Sequence, residues 1–184
     1  MTAATDRLAE RLLILRCQAG DEQAFAEIVR AYDPRLRYFL LKLLASSEAA
    51  EDAAQDVWLD VYRGLVRLRE PEAFRAWLYR LARDRAFRQL RKTRPVQALQ
   101  GETDIAIDDE EGEGFSKEDA EQVHRALDTL SPEHREVLVL RFIEDLSYDE
   151  IGRITGCRPG TVKSRIHYAK QTLRRATGKE TNHD

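Results

Sequence analysis

Between Thr93 and Lys117 the chain lacks nearly everything a core needs, and that interruption governs how the rest can fold. The stretch carries Pro95, Gly101, Gly112 and Gly114 and the run "DDEEGEG". So little apolar surface cannot offset the entropy of ordering the segment, which reads as a flexible linker over residues 95–117. Ten Asp or Glu face one Lys within residues 101–121, a local charge of −9. Asp104, Asp108 and Asp109 offer a carboxylate set for a metal, but a solvated linker is the better reading of the same residues.

In 184 residues this leaves a folded part on either side, over 8–94 and 118–176, each long enough for a modest core. The chain is 42% hydrophobic and 34% charged, with nine Gly and five Pro, and no window alternates with period two for long enough to form a strand. The expected class is therefore all-α. Cys17 and Cys157 have no paired spacing, and the four histidines show no metal-ligand spacing, which suits a reducing cytoplasm and excludes a zinc module. "LLIL" at 12–15 is too short for a signal-peptide core or a membrane span. No nucleophile elbow, phosphate-binding loop or dinucleotide fingerprint is present, so no catalytic activity and no cofactor are expected.

Helix punctuation organises both parts. Asp21 caps "EQAFAEIVRAY", Pro34 is expected to open a second helix, and Ser46 or Ser47 caps a third running to about Leu68. The pattern breaks at Pro71 and resumes from Phe74 to about Lys92. After the linker, "EDAEQVHRALDTL" has an apolar face, Ser131-Pro132 starts the next helix, and Ser147 with Glu150 forms a capping box. Gly156 supplies a left-handed stop and Pro159 opens the last helix, which completes a helix-turn-helix arrangement.

The net charge of −3 conceals three segregated surfaces. In the last helix Val162, Ile166, Ala169 and Leu173 make one apolar stripe, while Lys163, His167, Lys170 and Arg174 repeat the spacing one residue later. A helix docked by the first stripe turns the second towards a DNA major groove. Residues 74–94 hold eight Lys or Arg against one Asp, with Phe74, Trp77, Tyr79 and Phe87 interleaved. Cations between aromatic rings suit a strand with unstacked bases, although each ring taken singly is as well explained by a core. The third surface is acidic: Glu48, Asp52, Asp56 and Asp60 recur every four residues, and no Lys or Arg occurs from 43 to 62. Such a run weakens its helix by about 0.2–0.5 kcal/mol per like-charge pair, which favours a basic partner over an acidic surface that meets none.

In this order the motifs resemble a known family. "AGDEQAFAEIVRAYDPRLRYFL", "EDAAQDVWLDVYRGL", "EAFRAWLYRLARDRAFRQLRK" and "LSPEHREVLVLRFIEDLSYDEIGRITGCRPGTVKSRIHYAKQTLRR" are similar to regions 2 and 4 of bacterial RNA polymerase sigma factors of the extracytoplasmic-function (ECF) class. The resemblance implies two helical domains, a region-2 bundle and a region-4 helix-turn-helix domain, joined by the flexible acidic linker. It implies binding to core RNA polymerase, through the β′ clamp helices and the β subunit, and to promoter DNA. A cognate anti-sigma factor is a further implied partner, in the cytoplasm and without membrane insertion.

By position, the resemblance places Asp52, Gln55, Asp56, Trp58 and Asp60 on the polymerase-docking helix. The family more often has Glu at position 56 and Phe at position 58. Phe74, Arg75, Trp77, Arg80, Arg83, Asp84, Arg88 and Arg91 fall where the family opens and reads the minus-ten element, with Asp84 where Asn is common. Arg158, Thr161, Lys163, Ser164, Arg165, His167, Tyr168 and Lys170 match the helix that reads the minus-thirty-five element, and Arg141 a phosphate contact. Tyr168 stands where Arg is frequent. A helix-turn-helix regulator acting on duplex DNA without polymerase would account for residues 131–175 alone.

Overall fold

The computed structural model describes residues 3–93 and 127–176, and all secondary structure among them is helical. The chain divides into two compact units, Met1–Val96 and Gln97–Asp184. The acidic segment 95–117, with its carboxylates at 104, 108 and 109, lies outside the described residues. So does most of the amphipathic segment before Leu127.

The first unit is built from α1 (Ala3–Gln18), α2 (Glu22–Leu44), α3 (Ser47–Gly64) and α4 (Phe74–Thr93), with two 3-10 turns, Leu65–Arg67 and Pro71–Ala73, between α3 and α4. Asp21 and Ser46 cap α2 and α3 by accepting from the backbone N–H of Ala24 and Ala49. Ile14, Ile28, Leu36, Phe39, Val57, Phe74, Leu78 and Tyr79 are fully buried and form the core. Gln18, at the end of α1, donates to the carbonyls of Leu65 (3.0 Å) and Leu68 (2.7 Å), which ties α1 to the turn after α3.

One expectation about this unit is corrected, and one helix is added to it. Pro34 does not begin a helix; it sits inside α2, which runs unbroken from Glu22 to Leu44. An interior proline costs about 3 kcal/mol, but Ile28, Tyr32, Leu36, Phe39, Leu40 and Leu43 keep one buried stripe across it. Each such side chain contributes about 1.5–3 kcal/mol on burial, so the stripe wins. The ring lies on the exposed side, and an Asp33–Arg37 ion pair of 2.6 Å spans it. The helix α1 is the addition, since no cap or clean stripe announces it: Leu8, Leu12 and Leu15 are exposed while Ile14 is buried.

The second unit is described from Leu127 and contains α5 (Pro132–Phe142), α6 (Tyr148–Thr155) and α7 (Pro159–Ala176). Ser131 caps α5, and the capping box of Ser147 and Glu150 forms with both bonds in place. Gly156 stops α6 with φ of 73°, a left-handed conformation that glycine adopts without a steric penalty. Gly152 lets the turn close: a Cβ there would stand 2.8 Å from the carbonyl oxygen of Cys157. Val162, Ile166, Ala169 and Leu173 are all buried, which seats α7 by the stripe its spacing defines.

Candidate functional site

The acidic face of α3 divides into two halves. Glu48, Glu51, Asp52 and Gln55 are exposed. Asp56 and Asp60, one and two turns further on, both meet the guanidinium of Arg85 from α4, at 3.0 and 3.1 Å. The like-charge repulsion inferred from the sequence is therefore relieved in the second half by a cation that arrives 25 residues later. Trp58 is a strut between helices: its indole N–H donates to Asp33 Oδ1 at 2.8 Å, and its ring meets Phe25 edge-on.

Beside the acids lies an apolar surface that the charge pattern did not reveal. Leu59, Tyr62 and Val66 are more than half exposed, and Tyr62 packs edge-on against Phe25. A groove of about 250 Å³ runs between Cys17, Phe25, Tyr62, Leu65 and Val66. Burial pushes the Cys17 thiol up to about 11, so it stays protonated at neutral pH. The i, i+3, i+7 spacing of 59, 62 and 66 was the available signal.

The α4 helix separates what its composition mixes. Arg80, Arg88 and Arg91 are exposed and make no ion pair among the described residues. Asp84 is exposed, 3.9 Å from a half-buried Arg83 whose guanidinium covers the Phe87 ring at 4.5 Å. The rings mostly point the other way. Phe74 and Tyr79 are fully buried against Tyr32 and Phe39, so both rings serve the core of this unit. Trp77 is half-buried with its ring over Gly64. Arg75 is also half-buried and lends its charge to Glu10, whose carboxyl is pushed up by burial despite a hydrogen bond with Tyr32.

On α7 the exposed residues include His167 and Tyr168, whose rings meet edge-on at 5.8 Å, with Arg158 in the turn before the helix. Lys163, Thr161 and Lys170 are half-buried, and the Lys170 ammonium lies 4.8 Å over Phe142. Ser164 and Arg165 do not share that face. Ser164 is only 2% exposed and its hydroxyl donates to the carbonyl of Gly160 at 3.1 Å. Arg165 turns towards the buried Glu136 of α5, at 3.8 Å. Arg141 spends its guanidinium on the Leu146 carbonyl (3.2 Å) and Asp145 (3.8 Å), which locks the loop before α6. Spacing alone cannot show that a long side chain folds back onto its own domain. Among the described residues no cluster of three His, Cys, Asp or Glu could hold a metal.

Among the described residues, one unit carries an acidic helix and outward cations and the other a helix-turn-helix, and known families match the two units separately. The profile described as Sigma-70 region 2 matches residues 28–96, and that described as Sigma-70, region 4 matches residues 120–173. The RNA polymerase sigma-H factor of Pseudomonas aeruginosa is 32% identical over 179 residues, covering 91% of this chain and 93% of its own. The ECF RNA polymerase sigma factor SigW of Bacillus subtilis is 30% identical, covering 88% and 93%. Among solved structures, CnrH in complex with the cytosolic domain of CnrY shares the fold, with a TM-score of 0.68 at 22% identity over 94% of this chain and 99% of that one. The sigma factor RpoE of Bartonella quintana, in complex with the anti-sigma factor NepR, has a TM-score of 0.65 at 26% identity over 85% and 98%. The chain belongs to the ECF class of RNA polymerase sigma factors.

Proposed function

We propose that this sigma factor brings core RNA polymerase to a particular set of promoters by dividing the work between its units. The first unit docks polymerase through the acidic face of α3 and the adjoining Leu59, Tyr62 and Val66. Glu48, Glu51 and Asp52 attract a basic surface from a distance, and the apolar residues fix it at contact. Arg80, Arg88 and Arg91 of α4 then hold the phosphates of the opened minus-ten strand, and Trp77 is the ring best placed beside them for a base. The second unit lays α7 in the major groove of the minus-thirty-five element, where Arg158, Lys163, His167, Tyr168 and Lys170 meet phosphates and base edges.

The observation that carries this reading is the segregation itself: one unit presents an open acidic face and, on a separate helix, unpaired cations. An ordinary duplex-binding regulator has no use for the first of these. The chain acts in the cytoplasm with polymerase, and it is held in check by an anti-sigma factor, a reading supported by the RpoE of Bartonella quintana, which is described in complex with the anti-sigma factor NepR. Run-off transcription with purified core polymerase tests the proposal on a template library. A promoter-specific product that requires this chain is expected; duplex binding without any such product would leave only a DNA-binding regulator.

A further inference from the structure

Arg85 counts among the cations of the basic block 74–94, yet in the fold it meets the acidic face of α3 instead. From α4 it places Nη1 3.0 Å from Asp56 Oδ2 and Nη2 3.1 Å from Asp60 Oδ2. One planar guanidinium thus holds two carboxylates one turn apart on the docking helix, a geometry that a lysine could not reproduce. The contact is not sealed. The side chains of Asp56 and Asp60 remain 50% and 44% exposed and that of Arg85 29%, so a second cation coming from solvent can reach the same oxygens. Pairs this open are weak enough for an incoming partner to displace. Glu48, Glu51 and Asp52 have no such resident cation among the described residues.

Building on the docking role of α3, we propose that Arg85 is an internal competitor for the polymerase-binding face. It occupies Asp56 and Asp60 in the free chain and yields them when the basic surface of polymerase arrives. The first half of the face stays open for encounter, and the second half must be won from Arg85. Until it is won, the guanidinium lowers the local negative field and repels the approaching cations. That repulsion discriminates between partners. A surface with scattered charge gains little and is opposed, whereas a fitted surface replaces both of the bonds Arg85 gives up.

The test is the affinity of purified core polymerase for the full chain carrying Arg85→Gln, across a range of salt concentrations. About threefold to tenfold tighter binding is expected at low salt, mostly as faster association and with a steeper salt dependence. Arg85→Lys holds one carboxylate at a time and is expected to tighten binding by a smaller factor, which keeps the test open if glutamine loosens the unit. In an Asp56→Asn, Asp60→Asn background the same Arg85→Gln change should tighten binding by a clearly smaller factor, because no carboxylate is left to be freed and only the repulsion of incoming cations is removed. Unchanged or weaker binding by both Arg85 variants, while Asp52→Lys still abolishes binding, overturns the competitor. If Asp52→Lys binds like the unaltered chain, the docking role of α3 falls first, and the competitor with it.

Discussion

The two basic helices, α4 and α7, carry similar charge and use their rings in opposite ways. On α4 the rings of Phe74 and Tyr79 go inward and the exposed positions belong to Arg80, Arg88 and Arg91. On α7 the inward side is aliphatic, from Val162 to Leu173, and His167 and Tyr168 stay outside. The difference follows from what each helix must cover. α4 packs against both α2 and α3 and fills the space between them with rings, whereas α7 closes on α5 and α6 through smaller side chains. A helix that anchors itself with aromatics has few left for nucleic acid; a helix anchored by Val, Ile and Ala can keep them for its surface.

The largest expected effect breaks this comparison on the α4 side. Phe74→Ala should cost about 3–5 kcal/mol of stability in urea unfolding, because a ring buried against Tyr32 leaves a cavity. A variant of unchanged stability that only loses affinity for single-stranded minus-ten DNA would put the ring at the surface. On α7, Lys163→Ala should weaken promoter binding by about 1–3 kcal/mol if it reads a base edge. An equal loss on every upstream sequence marks a phosphate contact instead. Ser164→Ala is the matched control on the inward side, and its promoter affinity should barely change, since the hydroxyl already serves Gly160.

The smallest effect concerns the base of α4. Burial raises the Glu10 carboxyl above its usual 4.5, outweighing the hydrogen bond with Tyr32 and the charges of Arg75 and Arg35. The folded chain therefore holds this proton more tightly than the unfolded one. The resulting stabilisation is complete below the ordinary carboxyl value and is lost as pH rises through the folded value. Glu10→Gln should accordingly melt at a higher temperature than the unaltered chain near neutral pH, and the gap should close by about pH 4. A constant gap at all pH values would assign the gain to packing instead of ionisation.

What could be read from the sequence was whatever depends on near neighbours. Asp21, Ser46, Ser131, Ser147 with Glu150, and Gly156 all punctuate helices where their side chains or backbone freedom require it, and the α7 stripe is buried as its spacing demands. Local signals failed where a distant contact decided the outcome. Pro34 marks a helix start by its own chemistry, but packing along the whole of α2 carries the helix through it. Arg85 reads as one more cation on α4 until the fold brings it to Asp56 and Asp60. Ser164 and Arg165 share a helix with the exposed His167 and Tyr168, and only the fold shows that they turn inward, Arg165 towards Glu136 of α5 and Ser164 onto the Gly160 carbonyl.

The central claim is that an acidic helix on one unit binds polymerase while a separate helix on the other reads duplex DNA. Measuring both affinities for the full chain and for Asp52→Lys tests it most directly. Core polymerase binding by Asp52→Lys is expected to fall by at least about tenfold, with duplex minus-thirty-five binding and the circular dichroism spectrum unchanged. Equal polymerase affinity for the two chains would contradict it.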